Sequence, residues 1–178
     1  MIQRARLERI AGAVEAANTG IGRAVAWLYP ALVVLVLVHV VLRYVFGLNL
    51  IELEELHWHV YAAAFLLAWG YTYVADQHVR VDLLHANWTA RTRAWVELFG
   101  TLGLLVPFAL ILAYYAIDFF WQSWAYAERS EMPGGLPARY VLKFVLLAAL
   151  VLLAAQGVAV AIRSWLRLTA RADGETDR

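Results

Sequence analysis

One apolar run, from about Ala24 to Phe46, constrains the fold of this chain more than any other feature. At a rise of about 1.5 Å per residue, it is long enough to cross the hydrocarbon core of a bilayer, which is about 30 Å thick. The run carries Arg43 near its end and breaks at Gly47. A cluster of three acids follows the break: Glu52, Glu54 and Glu55. This arrangement predicts a charged turn between two membrane-spanning helices.

The composition supports a membrane protein. The 178 residues are 63% hydrophobic and only 16% charged, whereas soluble domains are about half apolar and about a quarter charged. Mean hydropathy is +0.62. The formal net charge of +1 gives no indication of a nucleic-acid partner. The chain has no cysteine, which excludes disulfides, thiol catalysis and thiolate metal sites.

Four stretches have the length and composition of membrane spans. They cover residues 24–46, 54–75, 94–127 and 139–166. Tryptophan or tyrosine stands near their ends, which is typical of membrane interfaces. The third stretch would be about 51 Å long as one helix, so it must tilt, kink or project, and we expect the kink at Pro107. The sequence therefore predicts an all-α integral membrane protein with four transmembrane helices.

Two polar segments flank this predicted transmembrane domain, residues 24–167. Residues 1–23 fit an amphipathic helix lying on the inner membrane surface, and a frayed solvated tail is the alternative. Asn18 to Gly22 indicate a turn after it. We expect no cleaved signal peptide, because the apolar run is of full membrane length and no cleavage pattern ends it. The polar tail, residues 168–178, is expected to be disordered.

The distribution of lysine and arginine predicts the topology. Eleven of the 15 basic residues fall in the N-terminal segment, in the 76–93 connection and in the stretch from Arg163 onward. By the positive-inside rule, both termini and the 76–93 connection are cytoplasmic. The stretches 48–53 and 128–138 then face outward together, and the second is a loop with two prolines and two glycines.

Arg43 and the acids after it could connect the first two spans. Arg43 precedes Gly47 by four residues, so it lies about 6 Å inside the end of its helix. In an antiparallel hairpin, Glu54 and Glu55 reach the same depth, which favours an ion pair between Arg43 and one of them. The alternative is an arginine that extends to the interface and two acids that suit a helix N-terminus.

The histidines raise the question of a haem or metal site. His39 lies within the first span, and His57 and His59 begin the second, so His39 and His59 could approach each other. The predicted third and fourth spans contain no histidine, whereas a membrane cytochrome usually pairs histidines on facing helices. We therefore expect no metal or other cofactor. No nucleotide-binding or hydrolase motif occurs, so the sequence does not indicate an enzyme.

Other polar residues have structural interpretations. Arg80 and Asp82 belong either to a solvated connection or to a fixed corner in which they pair with neighbouring helix ends. Glu97 and Asp118 lie near predicted interfaces, and we expect them to be solvated. Gln156 is deep within the fourth span, and we expect it to form a hydrogen bond to another helix.

The order and spacing of several short motifs resemble the small membrane subunit of the tripartite ATP-independent periplasmic (TRAP) transporters, the DctQ-like family. The resemblance covers about Leu35 to Arg163. The motifs are RYVFG at Arg43–Gly47, Glu54–Glu55, HVRVDLL at His78–Leu84, GGLPARYVLK at Gly134–Lys143, and Gln156–Gly157. Two features depart from the family pattern: His57, where an arginine or another polar residue is expected after the acid pair, and the run Ala62–Ala68, where a glycine is common.

The resemblance implies a non-catalytic permease subunit in the bacterial inner membrane. Such a subunit would scaffold a large transport subunit and help a periplasmic binding protein to dock during sodium-driven uptake of an organic acid. The absence of an internal repeat agrees with this role. The outward-facing candidates for docking are Glu52, Glu128, Arg129 and Glu131. Candidate anchors towards the large subunit or lipid are Trp69, Trp121, Trp124 and Tyr126.

Two other classes of function stay open at this point. One is a four-helix membrane electron carrier with b-type haem. The other is an independent small transporter or channel.

Overall fold

The computed structural model describes residues 2–75 and 88–175, and the regular structure in these two ranges is entirely helical. The six α-helices of the described ranges are α1 (Ile2–Ala26), α2 (Leu28–Tyr44), α3 (Ile51–Val74), α4 (Ala90–Gly100), α5 (Val106–Ala125) and α6 (Tyr140–Glu175). A π-helical turn, Thr101–Leu105, joins α4 to α5. The helical class predicted from the sequence is thus confirmed.

Three stretches of helix are long and apolar enough to cross a membrane. They are Gln3–Tyr44, Ala90–Ala125 and Tyr140–Thr169, within the described residues. Helix α3 has 24 residues and also forms where a span was predicted. It is less apolar, because acids occupy its first turn and histidine, tryptophan and tyrosine recur along it. The helix at each predicted span is therefore present, while a membrane-crossing role for α3 stays a prediction.

The N-terminal segment is a long helix that continues almost directly into α2. The turn expected at Asn18 to Gly22 is wrong, because α1 runs through these residues and ends at Ala26. The break comes at Trp27 instead. Pro30 has no N–H to donate to the Ala26 carbonyl, so the helical hydrogen bonding is interrupted there. The alternative of a frayed tail is also wrong, since residues 2–26 are helical.

The helices pack side by side in the order α2, α3, α6, α5, and α1 packs against both α3 and α6. Small side chains allow the close contact between α5 and α6, as is common in membranes. The buried residues at this contact are Ala109, Ala113, Ala116, Leu150, Leu153 and Ala154. Trp69 of α3 packs against the same clusters. Both α2 and α5 retain broad exposed apolar faces.

The long third span has its irregularity immediately before Pro107. The amide of Val106 donates to the carbonyl of Thr101, five residues back, which defines the π-helical turn. Gly157 of α6 lies against this turn, and a Cβ atom added there would be 2.8 Å from Val106 Cγ2. Thr101 is buried, and its hydroxyl lies 3.3 Å from that of Tyr73. The helix is thus irregular within one turn of Pro107, and the kink expected there stays a prediction.

The C-terminal helix is longer than the sequence suggested. Residues 168–178 were expected to be disordered, yet α6 continues without interruption to Glu175. Leu166, the last residue of the predicted span, is buried, and its carbonyl accepts a hydrogen bond from Arg4 at 3.4 Å. Packing against α1 thus reaches the end of the predicted span, and the helix continues past it. Residues 176–178 lie outside the described residues.

Candidate functional site

The α5–α6 loop, residues 126–139, is a closed structure. The Ser130 amide donates to the Leu136 carbonyl at 3.2 Å, and the Arg139 amide donates to the Glu128 carbonyl at 3.2 Å. A further turn is closed by the Gly135 amide, which donates to Met132 at 2.9 Å. These bonds join the two ends of the loop, so its tip is presented in a fixed conformation.

Glu55 fastens this loop to α3. Its carboxylate accepts one hydrogen bond from the Ser130 hydroxyl and another from the Leu136 amide, the latter at 2.6 Å. Gly135 makes room for the carboxylate, because a Cβ atom there would lie 2.9 Å from Glu55 Oε1. Gly134 has a φ of +82°, a conformation that favours glycine. The GG pair thus shapes the loop around an acid from another helix.

The ion pair predicted between Arg43 and Glu54 or Glu55 does not form. Arg43 makes no ion pair within residues 2–75 and 88–175, and its guanidinium carbon lies 6.0 Å from the Tyr44 ring centroid. Positions 55 and 57 differ by about 200° around a helix. His57 contacts α2, so Glu55 faces the loop on the other side of α3. Arg43 is accordingly placed at the end of α2 without the expected partner.

A second connection joins the loop to α6. Lys143 donates a charge-assisted hydrogen bond to Glu128, and its ammonium nitrogen lies 3.9 Å from the centroid of the Phe119 ring. Hydrogen bonding to Lys143 lowers the pKa of Glu128 below its ordinary value. Glu128 is therefore engaged within the chain, whereas the other proposed docking residues, Glu52, Arg129 and Glu131, are exposed.

A cavity of about 930 Å³ lies beneath the loop, between α3, α5 and α6. We call it the loop-end cavity. Its apolar walls include Leu66, Phe119, Leu142 and Leu146. Charged or polar groups line the part of the cavity next to the α5–α6 loop. The polar residues that line the cavity are Asn49, Glu54, Glu55, His59, Glu128, Arg139 and Lys143. The cavity exists because α3 and α5 both pack on α6 without extensive contact with each other in the described chain.

Gln156 holds α1 at the other end of the helices. Its Oε1 accepts a hydrogen bond from Asn18 Nδ2 at 3.0 Å, and each side chain is only 1% exposed. The interhelical bond expected of Gln156 is present, and its partner helix is α1. Gly70 of α3 allows Asn18 to approach, because a Cβ atom there would clash with the Asn18 amide.

Two further polar contacts strengthen this end of the structure. Arg163 donates two hydrogen bonds to Glu15, at 3.0 and 2.8 Å. Ser164 donates to Glu97 at 3.1 Å, and Arg167 lies 3.8 Å from the same carboxylate. The expectation that Glu97 is solvated was wrong, because α6 supplies its partners. The sequence did not indicate Glu15 as the partner of Arg163. The two residues are 148 positions apart, and no local pattern connects them.

The histidines that approach each other are His39 and His57, whereas the sequence had suggested His39 and His59. His39 is 7% exposed, and its ring centroid lies 5.6 Å from that of His57 on α3. His59 does not join them, because its Nδ1 lies 2.7 Å from the Glu55 carbonyl in the same helix. Groups of three or more possible metal ligands are absent from the described residues. Arg80 and Asp82 lie outside those residues.

The candidate anchors divide into two groups. Trp121, Trp124 and Tyr126 are exposed near the end of α5 and remain candidates for contact with a partner or lipid. Trp69 instead packs against α5 and α6 and is only partly exposed, so its role as an anchor stays a prediction. Asp118 is exposed, as expected.

The helical architecture, with long apolar helices and exposed apolar faces, defines a membrane protein of the multi-helix class. The family model for tripartite ATP-independent periplasmic transporters, DctQ component, matches residues 32–167. The chain therefore belongs to this family, whose members are the small membrane components of transporters. Neither the curated proteins nor the solved structures yielded a match.

Proposed function

We propose that this chain is a non-catalytic scaffold of a TRAP transporter. It braces the large transport subunit and helps a periplasmic binding protein to dock during sodium-driven uptake of an organic acid. The observation that carries the proposal is the side-by-side packing of α2, α3, α6 and α5, which leaves broad apolar faces on the two outer helices. A chain of this shape offers more surface for a partner than a closed bundle does.

The proposed topology has four spans, with both termini in the cytoplasm of the bacterial cell and the helices in its inner membrane. Helix α3 forms the second of these spans, although its histidines and acids lower its hydropathy. Two observations support this. It packs along α2 and α6, and its 24 residues extend about 36 Å, enough for the hydrocarbon core.

The proposed docking surface is the α5–α6 loop with the start of α3. The loop is closed on itself and fastened by Glu55, so its exposed charges, Arg129 and Glu131, hold a defined position. Glu52 lies beside it, because a Cβ atom on Gly134 would be 3.4 Å from Glu52 Oε1. A fixed surface loses little conformational entropy on binding, which suits a partner that docks and leaves repeatedly.

Reconstitution tests this function. The chain, its large subunit and the binding protein are placed in liposomes with a sodium gradient, and uptake of labelled organic acids is measured. We expect uptake only when all three are present, and co-purification of the chain with the large subunit. Uptake by this chain alone would indicate an independent transporter. A haem absorption band in the purified chain would indicate an electron carrier, and either result would overturn the proposal.

A further inference from the structure

We propose that the loop-end cavity binds one zwitterionic phospholipid whose headgroup carries a primary ammonium, with the phosphate at Arg139 and the ammonium at Glu54. The site goes beyond the scaffold role and requires only that α3, α5 and α6 lie in a bilayer. Its evidence consists of the shape of the cavity and the pairing of its charges.

The shape fits a single amphiphile. The cavity of about 930 Å³ opens between α3 and α5 and has α6 as its floor. Leu66, Leu146 and Phe119 make one part apolar, while the charged residues lie where α3 and α6 begin and the loop crosses above them. An acyl chain can cover the apolar walls, and a headgroup attached to it would then lie among the charges.

The charges in the cavity are not all available to a ligand. Glu55 is engaged by Ser130 and Leu136, and Glu128 is engaged by Lys143. Glu54 and Arg139 are the remaining pair of opposite charges in the lining. Neither side chain has a hydrogen bond or ion pair to another residue in the described ranges, although Arg139 acts electrostatically on Glu55 and Glu128. One anion and one cation whose hydrogen-bonding groups are unoccupied match a zwitterion better than a lipid with net negative charge.

The two groups also differ in what they recognise. The Arg139 guanidinium can donate two parallel hydrogen bonds to a phosphate. Arg139 directly precedes α6, so a phosphate there also lies near the positive end of the helix dipole. The Glu54 carboxylate accepts hydrogen bonds, which a primary ammonium donates and a trimethylated ammonium cannot. Phosphatidylethanolamine meets both requirements, whereas phosphatidylcholine meets only the first.

Native mass spectrometry of the chain in complex with its large subunit tests the proposal. The complex is equilibrated with equal amounts of phosphatidylethanolamine, phosphatidylcholine and phosphatidylglycerol that have identical acyl chains. We expect phosphatidylethanolamine to be retained about tenfold over phosphatidylcholine, the ratio that one charge-assisted hydrogen bond supplies. Glu54→Gln should remove this preference, and Arg139→Gln should lower retention of all three lipids.

Matched variants separate the site from general effects of charge. Glu131→Gln and Arg129→Gln change the same residue types on the exposed part of the loop, outside the cavity, and should leave the lipid ratios as in the native chain. Leu146→Trp fills the floor and should reduce retention of every lipid without changing their ratio. Hydrogen exchange at the Leu136 amide shows whether the loop is intact in each variant.

Three results would overturn the proposal. The first is equal retention of phosphatidylethanolamine and phosphatidylcholine by the native complex. The second is a preference that persists in Glu54→Gln. The third is a complex that retains no lipid at this site because a helix of the large subunit occupies the cavity, which crosslinking from the cavity wall would detect.

Discussion

The hydrogen bond between Asn18 and Gln156 determines how firmly α1 is attached to the rest of the chain. Gln156→Leu removes the acceptor that lies 3.0 Å from Asn18 Nδ2. The Asn18 amide then keeps only the Val14 carbonyl, at 3.3 Å. Its Oδ1 already has no partner in the described part of the structure. Since both side chains are 1% exposed, water cannot replace the lost acceptor without local opening.

The expected loss follows from these contacts. An unsatisfied buried polar group costs about 1–3 kcal/mol, whereas interhelical hydrogen bonds in membranes average about 0.6 kcal/mol. Asn18 retains one bond and leucine is close to glutamine in size. We therefore expect the free energy of undocking α1 from α6 to fall by about 1 kcal/mol, or about fivefold in the equilibrium constant.

Hydrogen exchange in detergent micelles measures this change directly. Amides in α1 should exchange about fivefold faster in Gln156→Leu, while those in α5 should be unaffected. Gln122→Leu is the matched control, because Gln122 is exposed on α5. Asn18→Leu combined with Gln156→Leu removes both partners, so its loss should be smaller than the sum of the two single losses. Strictly additive losses, or native exchange in α1 of Gln156→Leu, would refute the reasoning.

Three further predictions concern the loop and the π-helical turn. Glu55→Gln weakens the attachment of the loop, so exchange at the Leu136 amide should accelerate, whereas Glu52→Gln, in the same turn, should leave it unchanged. Because the pKa of Glu128 is lowered by Lys143, the loop gains stability above the ordinary glutamate pKa and loses it as pH falls through the lowered value. Protease cleavage of the loop should therefore rise below about pH 4, and Glu128→Gln should reduce that dependence. Gly157→Ala should destabilise the protein by about 1–3 kcal/mol through contact with Val106, while Gly20→Ala, which has open space, should not lower the thermal midpoint.

The helices could be predicted because hydropathy and length reflect a strong constraint. A chain in a bilayer must satisfy its backbone hydrogen bonds internally, so apolar runs of this length become helices. Helix ends were less certain. The break at Trp27 depends on the missing N–H of Pro30, and α6 continues past the end of the apolar run to Glu175 with no hydropathy signal to indicate it.

The pairing of side chains was harder to predict than the helices. Arg43 and Glu55 were paired on the basis of depth alone, which ignores the direction each side chain takes around its helix. The hydrogen-bond partners of Glu55 are Ser130 and Leu136, which lie 75 and 81 residues away in the sequence. Depth sufficed for Gln156, because a buried amide must find some partner, but identifying Asn18 required the packing of α1.

The π-helical turn at Thr101–Leu105 has a consequence for how the length of the third span can vary. A π-helical turn contains one residue more than the α-helical path it replaces. Deletion of a single residue there would restore a regular α-helix along the same path and leave the phase of α5 relative to α4 nearly unchanged. A deletion within α4 would instead rotate everything after it by about 100°, and the alanine ridge of α5 would turn away from α6. The turn therefore absorbs one residue in the length of the span, and a single-residue deletion should be tolerated better in this turn than within α4.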